Sequence, residues 1–203
     1  MASDIVQANC IVWVEGPSDR IYIRHWLQSL DFDLEEGIHY SIMFYGGRLL
    51  SHLTANDPDV EDFISLRRLN RYMAVVIDSD RRNSTARIND TKRRVRDELH
   101  AGPGFAWVTK GREIENYVED NILLQAVASV ERRAIKLGRT NEYSKPLTCV
   151  DARGKELQPP DKIKVARAVT SMAAHLDVLD LRKQITRLAR FIQDANGATT
   201  GST

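Results

Sequence analysis

Apolar and polar positions change period several times along the chain, and each change marks an element. The run Ile11 to Glu15 (IVWVE) stops at Gly16-Pro17-Ser18-Asp19, and RIYIRHWLQSL then spaces Ile21, Trp26, Leu27 and Leu30 at helical intervals. This predicts strand, tight turn and helix, with Ser18 or Asp19 as the helix N-cap. Tyr40 to Gly47 predicts a second strand stopped by a glycine pair, and Val60 to Leu69 a helix. Tyr72 to Asp80 (YMAVVIDSD) is the clearest strand, a continuous apolar run of the kind a parallel sheet buries on both faces. The segment after it keeps Ile88, Val95 and Leu99 on one side and predicts a helix. Phe105 to Thr109 predicts a fourth strand, which leads through Gly111 to Tyr117 into a helix over Asn121 to Leu137.

Strands alternating with helices imply an α/β fold, a mostly parallel, Rossmann-like sheet flanked by helices and joined by right-handed crossovers. The pattern divides the chain into a core over residues 1–137, a loop or small hairpin over 138–160 centred on Asp151 to Gly154, a C-terminal helical layer over 161–196 and a disordered tail over 197–203. The two C-terminal helices are expected over Asp161 to His175 and Leu179 to Ala195, with Val165, Val169 and Met172 on one apolar face and Leu181, Ile185, Leu188 and Ile192 on the other.

Composition narrows the function. At 203 residues and 42% hydrophobic content the chain can bury a real core. No stretch approaches the roughly 18 apolar residues of a membrane span, and the polar start MASDIVQANC lacks a signal-peptide pattern, so a cytoplasmic location with no membrane partner is expected. Cys10 and Cys149 are far apart and suggest neither a disulfide framework nor a zinc site; both are expected as buried small apolar residues. Trp13, Trp26 and Trp107 are expected in the core, and the five scattered histidines carry no metal-ligand spacing. Net charge is only +1, yet Arg81, Arg82, Arg87, Lys92, Arg93, Arg94 and Arg96 crowd one stretch that holds a single acid, Asp90. That stretch is either a solvated helix face or a phosphate-contacting surface.

The ends of the predicted strands carry acids. Residues at the carboxyl ends of parallel strands face one crevice, where such folds place their chemistry. Glu15 and Asp19 follow the first strand, Asp78 and Asp80 the third, and Glu113 and Glu115 the fourth. Each pair alone is compatible with turn and cap chemistry. Gathered together, they would repel one another unless a cation sat among them. All-oxygen ligands suit Mg²⁺ or Mn²⁺, and two such ions about 4 Å apart can stabilise the attacking and leaving oxygens of a phosphodiester.

The motifs Val14 to Asp19 (VEGPSD), Val76 to Asp80 (VIDSD) and Gly111 to Tyr117 (GREIENY), with the C-terminal runs DKIKVARAV and HLDVLDLRKQITRLARFIQDAN, resemble the Toprim catalytic domain of the OLD (overcoming lysogenisation defect) family of nucleases. The resemblance spans Ile11 to Asn196. It implies a metal-dependent DNA endonuclease with two Mg²⁺ or Mn²⁺ ions, Glu15 and Asp19 holding one and Asp78 and Asp80 the other, and Glu15 also placed as general base. Glu115 matches the later acidic ligand and Glu113 an adjacent oxygen donor. A lysine that stabilises the transition state maps onto Lys162 rather than Lys164, although a solvated lysine in a first helical turn is an equal reading; Arg112 can serve similarly or pair with an acid. DNA contacts are expected from Arg81, Arg82, Arg87, Arg93, Arg94 and Arg112. Gly46-Gly47-Arg48 is either a plain turn or a place where phosphate approaches the backbone.

The resemblance also implies an ABC-like ATPase partner, on a longer chain or a separate subunit, because the sequence holds no G-x-x-x-x-G-K-[ST] phosphate loop. A homodimer is compatible with it. Three rivals keep part of the pattern. A primase-like or topoisomerase-like Toprim domain would share the fold, but no tyrosine here has an activating context. A receiver-like signalling domain would place its acidic pair after the first strand rather than the third, and so would a phosphatase of the haloacid dehalogenase type.

Overall fold

The structure, a computed structural model, describes residues 8–46, 56–65 and 72–197. Four strands, β1 (Cys10–Val14), β2 (Tyr40–Phe44), β3 (Tyr72–Ile77) and β4 (Phe105–Val108), form one all-parallel sheet in the order β2-β1-β3-β4. The expected α/β architecture, a parallel sheet flanked by helices, is therefore present. Cys10 pairs with Tyr40 on one side and Tyr72 on the other, and Val76 pairs with Trp107, so the carboxyl ends of the strands lie at one edge.

Both faces of the sheet are covered, which explains why β3 is apolar at every position. Met73, Val75 and Ile77 pack with Val60 and Phe63 of helix α2 (Pro58–Ser65) and with Val95 and Leu99 of helix α3 (Asp90–His100). Ala74 and Val76 face the opposite way, into a larger cluster with helix α1 (Pro17–Gln28). Helix α4 (Asp120–Val130) joins that cluster with the two C-terminal helices, α5 (Lys162–Thr170) and α6 (Leu181–Ala195). Leu181, Ile185, Leu188 and Ile192, four apolar positions at helical spacing on α6, are all fully buried. Trp26 and Trp107 lie in this core, Trp13 packs edge-on against Phe63 on the other face, and Cys10 and Cys149 are buried free thiols.

Three boundaries differ from the sequence expectation. Helix α4 stops at Val130 because Glu131 turns back, its carboxylate accepting from the Arg133 backbone and guanidinium. The residues beyond form β5 (Lys136–Leu137), which pairs antiparallel with β6 (Cys149–Val150). Asp151 and Gly154 (φ +76°) then turn the chain so that Glu156 bridges back to Val150, which gives the small hairpin its centre. Helix α5 ends at Thr170, where Thr170 and Ser171 hydroxyls bond back to the Arg167 and Ala168 carbonyls, a pattern that competes with helix continuation. The expected helix Val60 to Leu69 begins at Pro58, and its positions 66–69 lie outside the described residues, as do Gly47, Arg48 and the tail beyond Gly197. Among the described residues, no helix is long and apolar enough to cross a membrane.

Candidate metal centre

The loops at the carboxyl edge of the sheet are stitched together by backbone bonds, and that stitching places the acids. After β1 the chain turns at Glu15-Gly16 into α1. Asp19 reaches back to accept from the Gly16 N–H at 3.0 Å and from the Ser18 hydroxyl at 3.2 Å, so it closes the helix start from its third position. After β3 the buried Ser79 donates its N–H to the Thr109 hydroxyl oxygen at 2.8 Å and its own hydroxyl to the Gly111 carbonyl at 2.6 Å. The Asp80 N–H donates to the Arg112 carbonyl at 3.0 Å. The segment carrying Glu113 and Glu115 is thereby held against the one carrying Asp78 and Asp80.

Gly111 is required by packing, since a Cβ there would meet Asn116 Cβ at 2.7 Å and the Glu142 carbonyl at 3.2 Å. The close approach lets Ile114–Tyr117 form a single 3-10 turn, capped by Asn116 accepting from the Glu113 N–H. Glu115 sits in that turn at 0% exposure, and neither of its carboxylate oxygens receives a hydrogen bond. The Tyr22 hydroxyl on α1, within the field of Glu115 and Asp19, is a further buried polar atom without a partner. Buried orphan groups of this kind are costly and rare in structural positions.

The fields of these acids act on one another across the three loops. Burial raises the Glu15 carboxyl, and Asp19 and Asp80 raise it further against the lowering effect of Lys92 and Lys162. Asp78 is pushed well above the usual carboxylate range by desolvation first, then by Asp19, Glu115 and Glu15. Asp19 is raised by burial despite its hydrogen bonds. Burial lifts Glu115 to about 7, with Lys162 opposing and Glu113 and Asp19 adding. Glu15, Asp19, Asp78 and Glu115 thus share one electrostatic neighbourhood.

Two lysines flank it. Lys162, the first residue of α5, lies 2.9 Å from Glu113 Oε2 and 3.4 Å from Glu115 Oε1. Desolvation alone would lower its ammonium, but Glu115 and Glu113 raise it well beyond the ordinary range. Lys164 is exposed, and its backbone N–H serves the Asp161 cap. On the far side Lys92, 1% exposed, donates to the Asp78 carbonyl at 2.7 Å and is ion-paired with Asp80. Asp80 is exposed and left-handed (φ 53°), which turns its side chain toward that lysine. Six carboxylates against these two ammoniums and the Arg112 guanidinium, 3.5 Å from Glu113, leave three negative charges uncompensated.

The side chains here are all carboxylates, the oxygen donors that hard divalent cations take, and the buried Glu115 accepts no hydrogen bond. Among the described residues, no three His, Cys, Asp or Glu side chains close on one point as an ion's ligands, and lysines occupy oxygens of Glu113 and Asp80.

Lys92 carried no expected site role and Lys110 none at all, although each had a signal. Lys92, Val95 and Leu99 fall on one helical stripe, so a lysine there had to be buried and paired. The expected DNA contacts separate in space. Arg81, Arg87, Arg93 and Arg96 line one cavity of about 510 Å³ with Lys110, Arg94 is paired with Glu61, and Arg82 is exposed apart from that cavity. Arg112 lies beside Glu113 within the acid cluster. Gly46 (φ +74°) needs glycine for its backbone and donates its N–H to the Glu15 carbonyl, while a larger cavity of about 1010 Å³ near Arg20, Glu36 and Phe44 is lined by none of the six acids. Compared with protein-family models, with characterised proteins and with solved structures, the chain matches none.

Proposed function

We propose that this chain is a Toprim-type, divalent-metal-dependent DNA endonuclease that hydrolyses phosphodiester bonds at the carboxyl edge of its sheet. The observation that carries the reading is Glu115, fully buried, with neither oxygen accepting a hydrogen bond and only the Lys162 ammonium beside it at 3.4 Å, in the field of acids from other loops. Glu15, Asp19, Asp78 and Glu115 would hold Mg²⁺ or Mn²⁺, which supplies Lewis-acid stabilisation of the phosphoryl oxygens when bound. Glu15, raised by burial and by Asp19, would take the proton of the attacking water as the new P–O bond forms and the opposite P–O bond breaks, the leaving sugar oxygen departing as an alkoxide that a solvent water protonates. Lys162, kept fully charged by Glu115 and Glu113, faces the charge that develops on phosphorus. Asp80 and Lys92 hold the Asp78 loop in place rather than meeting the substrate. An ABC-like ATPase on another chain or segment would govern when this centre is used.

Purified protein is expected to nick or linearise supercoiled plasmid with Mg²⁺ or Mn²⁺, to stop with EDTA, and to lose at least a hundredfold in rate as Asp78→Ala. Cleavage that survives EDTA, or an Asp78→Ala protein as active as the parent, refutes the mechanism.

A further inference from the structure

A second basic cavity lies where no site was expected. It measures about 620 Å³ and runs along α6, lined by Lys183, Arg187 and Arg190 together with Leu179 and Asp180. Those three cations recur four and three residues apart, so they share the side of α6 that turns away from the buried Leu181, Ile185 and Leu188. The cavity around Arg87 and Lys110 is lined in part by β4, an edge strand of the sheet, and the α6 cavity meets the same strand only through Arg187. Val108 and Thr109 line the first, while the Arg187 guanidinium of the second sits 5.4 Å over the Phe105 ring at the other end of the strand.

One hydroxyl joins them. The Lys110 N–H donates to Tyr117 Oη at 2.8 Å, and Tyr117 Oη donates to Asp180 Oδ1 at 2.7 Å. Tyr117 closes the same 3-10 turn that holds Glu115, so the junction adjoins the acid cluster. Arg93 and Arg96 are balanced by Asp90 and Asp97, and Arg182 by Asp177. Arg87, Lys110, Lys183 and Arg190 are exposed and have no carboxylate partner among the described residues. In a chain of net charge +1, such unbalanced cations, two flanking the ends of α3 and β4 and two on α6, mark a local excess of positive charge.

We propose that the two cavities form one continuous path for a duplex DNA backbone, following the β4 edge past the acid cluster, with α6 supplying half of its phosphate contacts. This deepens the nuclease reading and rests on it for the direction of the path. Unpaired surface cations spaced along an edge neutralise successive phosphates and release counterions, which makes affinity fall with salt by about 0.9 log units per contact for B-DNA.

The test measures binding of a fluorescein-labelled 30-base-pair duplex and of its single strand in EDTA, where cleavage is silent, over a series of NaCl concentrations. The α6 pair Lys183→Gln/Arg190→Gln and the β4 pair Arg87→Gln/Lys110→Gln are compared with the parent, folding being checked by thermal melting. Each pair is expected to flatten the slope of log Kobs against log[NaCl] by about 1.8, and the four together by about 3.6. A loss confined to the single strand, about 0.7 per contact, overturns duplex DNA as the occupant of the path. An α6 pair with the parent's slope overturns the proposal, as does a parent protein that binds neither substrate at 50 mM NaCl. Binding with the predicted slopes but no plasmid cleavage fails the nuclease reading alone, whereas cleavage with an unaltered α6 slope fails the path alone.

Discussion

Carboxylates in this protein behave in two opposite ways, and the contrast separates structure from chemistry. On the surface, hydrogen bonds from Arg133 hold the Glu131 carboxyl down to about 2, and those from Arg182 lower Asp177. At the carboxyl edge of the sheet, burial and mutual repulsion raise Glu15, Asp19, Asp78 and Glu115. The first two acids have arginine partners. The acids at the sheet edge act on one another through their fields, with Lys162 and Lys92 as the neighbouring ammoniums. An arrangement that disfavours its own charged form does not serve the fold; it suits a ligand that brings positive charge.

The contrast is broken most strongly at Asp78. Asp78→Asn is expected to abolish plasmid cleavage while raising the melting temperature of the EDTA-treated protein, by roughly 2–4 °C for each kcal/mol relieved in a chain of this size, because burial first and then the neighbouring acids disfavour the Asp78 charge. A melting temperature that falls by several degrees would show that the Asp78 charge supports the fold. Titration sharpens the same point. Glu115 has a folded pKa near 7 against an ordinary 4.5, so the metal-free folded state holds its proton where the unfolded state releases it. The cost of ionising Glu115 without metal is therefore absent below about pH 4.5 and grows as pH rises toward 7. Added Mg²⁺ or Mn²⁺, which binds the deprotonated acids, should raise the melting temperature more at pH 8 than at pH 5. Calorimetry at the two values checks both signs.

The flanking lysine gives a smaller effect. Lys92→Met keeps the packing beside Val95 but leaves the Asp78 carbonyl without its donor, and unfolding by urea should show a loss of about 1–3 kcal/mol. Asp80, half exposed, can turn to water and limits the cost. At the small end, Glu131→Gln is expected to leave cleavage unchanged and the melting temperature within experimental error, since the amide keeps an oxygen to accept from Arg133, which is itself exposed.

Much of this was legible in the chain. The apolar run of β3 announces a strand buried on both faces, and the i, i+4, i+7 stripe of α6 announces its buried side. Acids after three of the four strands announce a shared edge, because parallel strands all end on the same side. What was not legible depends on long-range bonds. That Asp80 faces Lys92 follows from a left-handed backbone and a hydrogen bond to Arg112, neither of which has a local signature beyond the Asp itself. The scattering of the basic segment follows from its helical phase, which sends Lys92 inward, Arg94 toward Glu61 and Arg93 to the open side. The stop of α4 at Val130 depends on a carboxylate bonding two residues ahead, a local event that apolar periodicity does not register.

The central claim is that these acids gather around a cation, and titration of the protein with Mn²⁺ followed by electron paramagnetic resonance tests it most directly. The parent should deplete the free Mn²⁺ signal saturably at pH 8, and Glu115→Gln should do so at least tenfold more weakly. A parent that leaves the free signal unchanged, or a Glu115→Gln protein that binds as the parent does, would contradict it.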